Sequence, residues 1–184
     1  MNHSENLHYF LVDANEELLT QAYLWMKGEN SRDHFTCRPV SPLSEFSNWI
    51  VKEKTRMEKK DSVVKFLVNR SDVHVAIGRI RCFDFNPRNK SVEIGFFLPG
   101  ENRKRGFGNL MIELMLAHMF NDPHFELNKI YATTAAINAP SIKLLENHGF
   151  HKDGENREHY WIDGKKYGQL VYSILRSEWE TMDL

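Results

Sequence analysis

Between residues 92 and 115 the chain reads VEIGFFLPGENRKRGFGNLMIELM, and at its centre Arg103-Lys104-Arg105 runs into Gly106-Phe107-Gly108. Three cations followed by a spaced glycine pair suit an anion. Glycine lets the backbone close tightly around a bound group. The unpaired amides at the start of a following helix present partial positive charge to it. Upstream, the apolar run from Val92 to Leu98 has strand character and breaks at Pro99-Gly100. Downstream, Phe107, Leu110, Met111, Leu114, Met115 and His118 fall at the spacing of a buried helix face. Strand, basic glycine loop and helix start together read as a phosphate cradle. A bulky side chain at Gly108 is expected to block that cradle and leave the surface loop folded.

Residue identity excludes two common cradles. A Walker loop ends in Gly-Lys-Ser/Thr, whereas Gly108 is followed by Asn109 and Leu110. A dinucleotide fingerprint needs a third glycine, and Met111 stands in that place. The pattern that fits is Arg-x-x-Gly-x-Gly, from Arg103 to Gly108. It follows Glu93-Ile94-Gly95-Phe96-Phe97-Leu98-Pro99, and further on come Asn138-Ala139-Pro140-Ser141 and Gly149-Phe150. On these motifs the chain resembles the GNAT superfamily of N-acetyltransferases, in its RimJ/RimL-like branch. The second half of the chain carries the resemblance, and over the first half it extends to element order.

The resemblance implies an α/β (α+β) fold, with a mixed, mostly antiparallel central sheet flanked by helices, and acetyl-CoA as co-substrate. It implies that Arg103, Lys104, Arg105, Gly106, Phe107, Gly108 and Asn109 form the pyrophosphate loop, acting largely through backbone amides. It places the backbone of Phe96, Phe97 and Leu98 beside the pantetheine arm. Asn138 and Ser141 match that branch's Asn-x-x-Ser, where the amide bonds the pantetheine and the hydroxyl lies near the sulfur. Read from the residues alone, Asn138 is equally a helix cap. The implied acceptor is a primary amine, either a small molecule or a protein N-terminus. Phe35, Phe46 and Trp49 border its groove under this reading and are ordinary helix core otherwise.

Transfer of an acetyl group from a thioester to an amine needs a neutral amine, donors for the carbonyl oxygen and a route for the thiol's proton. Glu93 is the first candidate base, since many family members place a glutamate on this strand. A salt-bridged strand carboxylate is the alternative, and Glu158, His159 and Tyr160 are further candidates. Many members carry a general-acid tyrosine in Leu-Tyr-x-x-x-Gly-Phe, and here Leu145 holds that position. Ser141 is the substitute donor, and a thiol with a pKa of about 8.5 also leaves unaided as thiolate. A non-catalytic acyl-CoA sensor and a nucleotide-binding regulatory module are the rival readings of the same loop.

The elements that must position these groups follow from the rest of the chain. Its 184 residues, 41% of them hydrophobic, suffice for one domain across 1–184. A net charge of −1 argues against a general nucleic-acid binder. Cys37 and Cys82 are isolated and the nine histidines include no HExxH, so no metal site is expected. The N-terminus lacks a signal-peptide pattern, and no apolar run approaches the ~20 residues of a membrane span. A cytoplasmic monomer or homodimer is expected, with the C-terminal strands as the pairing surface of a dimer. A strand over Leu7–Val12 precedes a helix over Ala14–Lys27, and residues 31–42 read as irregular. Ser41 or Ser44 caps a second helix with Phe46, Trp49 and Ile50 inward and a solvated charged tail over Lys52–Lys60. Strands over Ser62–Asn69 and Val73–Phe85 lead to the Glu93 strand. After the long helix come a strand over Lys129–Thr134 and a short helix opened by Asn138. A hairpin of Glu155–Ile162 and Lys166–Leu175 about Asp163-Gly164 closes the chain.

Overall fold

The structure, a computed structural model, describes residues 8–28 and 46–182. Phe35, Cys37, Ser41, Ser44 and the irregular stretch before them lie outside the described residues. The frame is a seven-stranded sheet in the order β1-β2-β3-β4-β5-β7-β6. Strands β1 (Tyr9–Asp13), β2 (Ser62–Asn69), β3 (Asp72–Asn86) and β4 (Ser91–Phe97) are antiparallel neighbours. The step from β4 to β5 (Lys129–Ala135) is parallel. Antiparallel order then resumes through β7 (Lys165–Leu175) to β6 (His151–Ile162). The mostly antiparallel mixed sheet expected from the sequence is the sheet observed.

Alternation along the strands sorts side chains between two layers. Val64, Phe66 and Val68 of β2 pack with Leu18, Leu19 and Ala22 of α1 (Glu16–Gly28) and Ile50 of α2 (Phe46–Glu58). On the opposite face Leu67, Ile80, Cys82, Val92 and Ile94 meet α3 (Phe107–Asn121), α4 (Ala139–Asn147) and the short α5 (Arg176–Trp179). Asn15 starts α1 by accepting from the Leu18 amide at 2.9 Å. Helix α3 buries more than the expected stripe, since Ile112, Leu116, Met119 and Phe120 are also inside. Wedged between the sheet, α4 and the C-terminal turn, it has little surface left to be polar.

One expectation fails on α2. Its tail was expected to be solvated, yet Glu53 is only 6% exposed. Glu53 lies one turn after Ile50 on the inner face, and Arg56 Nη1 reaches its Oε1 at 3.2 Å. Helix α4 behaves as its sequence suggests. Asn138 Oδ1 accepts from the Ser141 amide at 3.3 Å. At the other end the Gly149 amide bonds Glu146 O at 3.1 Å and the Phe150 amide bonds Leu145 O at 3.1 Å. This is a Schellman closure, with Gly149 at φ +73°. In the β6–β7 turn both Asp163 (φ +49°) and Gly164 (φ +72°) are left-handed, as a type I′ hairpin requires.

Gly149→Ala tests how tightly this end is built. An added Cβ would lie 2.8 Å from Met182 Cε and would also have to hold a left-handed backbone. The backbone part alone costs about 1–2 kcal/mol. Urea denaturation should show that loss, and a Met182→Ala background should relieve the contact but leave the backbone cost in place.

Candidate active site

The site begins where two strands part. Strand β4 pairs with β5 at Ser91–Lys129, Val92–Ile130 and Glu93–Tyr131. Beyond Glu93 it stays with β3 as far as Phe97, while β5 continues along β7 to Ala135. A slot therefore opens between β4 and β5 just after Glu93. The backbone of Phe96, Phe97 and Leu98 lies on the β4 side of it. Pro99 and a 3-10 turn over Gly100–Asn102 then carry the chain into the basic loop.

That loop is tied at its root. Asn102 Nδ2 donates to Ile77 O at 2.7 Å, and Arg103 Nε donates to Leu98 O at 3.0 Å. Lys104 (φ +60°) and Gly106 (φ +83°) turn the backbone left-handed before α3 starts. Gly106 is the N-cap residue and supplies no side-chain cap, and the first turn carries no acid. The first amides of α3 consequently face out without an intrahelical acceptor. Phe107 is 2% exposed, with its ring edge-on to Tyr9 at 5.0 Å, so only its backbone can serve a ligand. The Arg105 guanidinium stands 5.1 Å from the centre of the same ring. Gly108 has a second reason to be small. A Cβ there would lie 3.1 Å from Leu144 Cδ2 and 3.5 Å from Leu98 Cδ1, so α3 packs on α4 through this residue. A bulky substitution at Gly108 would therefore strain the α3–α4 contact as well as the loop, contrary to expectation. Asn109 Oδ1 lies 3.2 Å from His148 Nε2 at the end of α4. Burial pushes the His148 pKa down, which favours the neutral ring at that contact.

Glu93 stands at the fork on the face covered by α1 and α2, because Val92 and Ile94 take the other face. Its Oε1 accepts from Thr133 Oγ1 of β5 at 2.7 Å. The other base candidates are placed differently. Glu158 sits in a β6 bulge at φ +53° with Lys166 Nζ 2.7 Å away, and His159 is exposed. Tyr160 is buried, and its Oη accepts from Gln169 Nε2 at 3.2 Å. Gln169 Oε1 in turn accepts from Asn156 Nδ2 at 2.9 Å. Gln169 pairs with Ala135 at the far end of β5, so a polar line runs along this face beyond the fork. Thr133, Gln169 and Asn156 were not singled out from sequence, because only strand pairing brings them beside Glu93 and Tyr160. Ser141 lies half-buried in the first turn of α4 beside Asn138. Leu145 is 0% exposed, so the position that often holds a tyrosine belongs to the core here.

Aromatic rings line the same face. Trp25 stacks on Phe97 at 6.1 Å, and Tyr23 contacts Phe46 at 5.1 Å and Trp49 at 5.6 Å. Among the described residues no group of three or more His, Cys, Asp and Glu gathers to hold a metal ion. Burial pushes the Cys82 thiol far above its ordinary pKa, which removes it as a nucleophile. Among the described residues no helix is long and apolar enough to cross a membrane.

Comparison with known proteins bears on this geometry. The family model described as an acetyltransferase (GNAT) domain matches residues 11–151. An uncharacterized, SPbeta prophage-derived N-acetyltransferase of Bacillus subtilis, YokL, is 30% identical over 118 residues, 63% of this chain and 64% of that protein. The chain spans less than two thirds of the length of the curated relatives that it matches first. Among solved structures, the spermidine N-acetyltransferase of Vibrio cholerae in complex with CoA and spermine superposes with a TM-score of 0.82 at 19% identity, covering 95% of this chain and 99% of that one. RimL, a ribosomal L7/L12 alpha-N-protein acetyltransferase in complex with coenzyme A, gives a TM-score of 0.78 at 12% identity, covering 91% and 94%. These two likenesses are of fold. With the family model matched from residue 11 to residue 151, the chain belongs to the GNAT acetyltransferase family.

Proposed function

We propose that the chain is an N-acetyltransferase, of the RimJ/RimL-like kind, that moves the acetyl group of acetyl-CoA to a primary amine. The observation that carries this reading is the fork. Strands β4 and β5 part after Glu93, and the slot leads to a helix start with no side-chain cap and three cations beside it. The residues fit the cofactor's chemistry. A pyrophosphate is met by the first amides of α3, by a first turn free of acid, and by Lys104 and Arg105. Backbone groups of Phe96–Leu98 that face the slot have no β5 ladder to enter, and an amide-bearing arm satisfies such groups well. Asn138 uses Oδ1 for the helix cap, and its Nδ2 is the donor assigned to that arm.

When bound, acetyl-CoA supplies an activated acetyl thioester. Glu93, held at the fork by Thr133, takes the proton from the acceptor's ammonium group, directly or through a water. Ser141 is the hydroxyl assigned to the departing thiol. Holding both substrates at the fork supplies much of the rest, since good positioning is worth about 7–11 kcal/mol. The acceptor is a small-molecule amine or a protein N-terminus, the two classes named for the structural neighbours. The chain is read as a cytoplasmic monomer or homodimer. Release of free CoA thiol with a panel of amines separates this reading from a non-catalytic acyl-CoA sensor. Competition between CoA and ATP separates it from a nucleotide-binding module.

Two mutations test the assignments. Arg105→Glu, alone or with Lys104→Glu, replaces attraction by repulsion at the cradle. A charge-assisted contact is worth about 1.5–3 kcal/mol, so CoA affinity by calorimetry should fall at least ~10-fold and unchanged affinity in a folded variant removes the cradle. Glu93→Gln should lower kcat by about 10²–10⁴ near pH 7, where most of the amine is protonated. The deficit should shrink as the pH rises towards the amine's own pKa, because solvent then delivers the neutral amine. A pH profile parallel to the parent's throughout would discard Glu93 as the base and leave Tyr160 next in line.

A further inference from the structure

Helix α4 meets the start of α3 with its far end. Leu144 and the C-cap residue His148 are four residues apart and so share a face. The residues they touch, Gly108 and Asn109, are neighbours in the first turn of α3. A Cβ on Gly108 would lie 3.1 Å from Leu144 Cδ2. One position on, Asn109 Oδ1 faces His148 Nε2 at 3.2 Å. An amide oxygen only accepts, so Nε2 carries the ring's proton and a second proton would add at Nδ1. The closure of α4 fixes the backbone beneath this ring. The His148 amide donates to Leu145 O at 3.0 Å, and the Gly149 and Phe150 amides after it are pinned at 3.1 Å. The imidazole is thereby built into the wall of the phosphate cradle.

His148 is half-buried, and burial alone lowers its pKa among the described residues. The charged residues on the elements around it are Glu113 of α3, Lys143 and Glu146 of α4, Lys104 and Arg105 of the loop, and Glu178 of α5. None of them adds to the shift. Glu146 is engaged by Tyr172 Oη at 2.9 Å, and Glu178 accepts from the Leu175 amide at 2.8 Å. Among the described residues the chain thus supplies no carboxylate that favours an imidazolium at this place. A phosphate seated on the first amides of α3 would favour one, because it sets full negative charge beside a ring held at the same turn. The bond to Asn109 survives protonation, since both ring nitrogens donate in the charged form.

We propose that His148, held by Asn109, is a further contact of the cofactor site, which meets a phosphate of coenzyme A and takes up a proton as the cofactor binds. The proposal rests on the acetyl-transfer reading above. It names the chemistry shared by the pyrophosphate and by the terminal phosphate of the coenzyme. The sign of the pH dependence follows. His148 titrates below its ordinary value in the free chain, and an adjacent phosphate raises it in the complex. The added affinity is therefore absent above the pKa of the complex. It grows as the pH falls through that value and levels off below the pKa of the free chain.

Calorimetry on the full chain at about pH 8 and about pH 6, on either side of an ordinary histidine, tests this. The ligands are coenzyme A, dephospho-coenzyme A, which lacks the terminal phosphate, and pantetheine, which lacks the pyrophosphate as well. Affinity for coenzyme A should rise on acidification by at least ~5-fold more in the parent than in His148→Gln, which keeps a donor for Asn109 and takes no proton. The coenzyme's own phosphate titrates alike in both, so the difference belongs to His148. His148→Leu, which loses the donor too, should bind more weakly than His148→Gln even at the higher pH. A gain kept with dephospho-coenzyme A assigns the pyrophosphate, and a gain lost with it assigns the terminal phosphate. An equal rise in parent and His148→Gln, or the same gain with pantetheine, would overturn the proposal. Thermal melting qualifies each variant, and His148→Asn replaces His148→Gln if the latter does not fold. If coenzyme A binds at neither pH, the acetyl-transfer reading fails, and inorganic pyrophosphate at the lower pH reads the contact instead. Pyrophosphate binding that weakens in His148→Gln upholds it, and equal or absent binding rejects it.

Discussion

Strands β4 and β5 share three residue pairs before they separate, and the position of every group in the candidate site depends on that short contact. Each strand has a stronger claim elsewhere. All seven residues of β5 pair with β7, and β4 follows β3 to Phe97. The sheet is in effect two antiparallel sheets joined at one end by a brief parallel seam. A parallel step requires a crossover, and α3 provides it, buried on most of its circumference. Because α3 is fixed by the core, its exposed first turn is fixed too, and that turn points at the mouth of the slot. An open sheet edge is ordinarily a liability, since unsatisfied backbone groups seek a partner. Here the edge lies inside a fold, which is where a strand-like ligand arm can answer it.

Charge is placed locally rather than in bulk. The chain as a whole is nearly neutral, at −1, so it has no long-range field of one sign. At physiological salt the screening length is about 8 Å, and interactions within one site matter more than the total. The loop end of the slot carries Arg103, Lys104 and Arg105 with no acid in the adjoining helix turn. The floor end carries Arg79 and Arg81 against Glu53 and Glu93. Under the proposed function, an anionic cofactor arm and an amine meet different local charges, and Glu93 is the carboxylate between them.

Local signals were enough for the parts of the fold that local chemistry decides. The Asn138 cap, the Gly149 closure and the Asp163-Gly164 turn are each specified by two or three adjacent residues, and each was legible in the sequence. So were the basic glycine loop and the strand before it. What escaped reading depends on contacts between distant segments. Thr133 is 40 residues from Glu93 in sequence and 2.7 Å from it in space. Glu53 looked solvated because its neighbours Lys52 and Lys54 are charged, while its burial follows from the packing of α2 on β2 and α1. Gly108 read as a loop glycine, yet its smallness also answers Leu144 across two helices. Arg79 and Arg81 alternate with Ile80 and Cys82 along β3, and only the register with β4 sets them opposite Phe97 and Gly95.

Leu145 shows how a core position can reshape the proton inventory. Its side chain is fully buried, and its carbonyl accepts from Phe150 in the closure of α4. A hydroxyl there would have to enter the apolar cluster of α3 and the sheet, where a polar group without a partner is costly. Under the proposed function, this route to the departing thiol is closed. The two proton transfers are unequal in need, however. A thiol of pKa about 8.5 leaves tolerably as the thiolate, whereas an amine of pKa about 8–10 is mostly protonated at neutral pH and cannot attack until it loses that proton. The demand for a positioned group therefore falls on the amine side. That is the side on which the fold keeps a carboxylate at the fork and meets it with a hydroxyl from the facing strand.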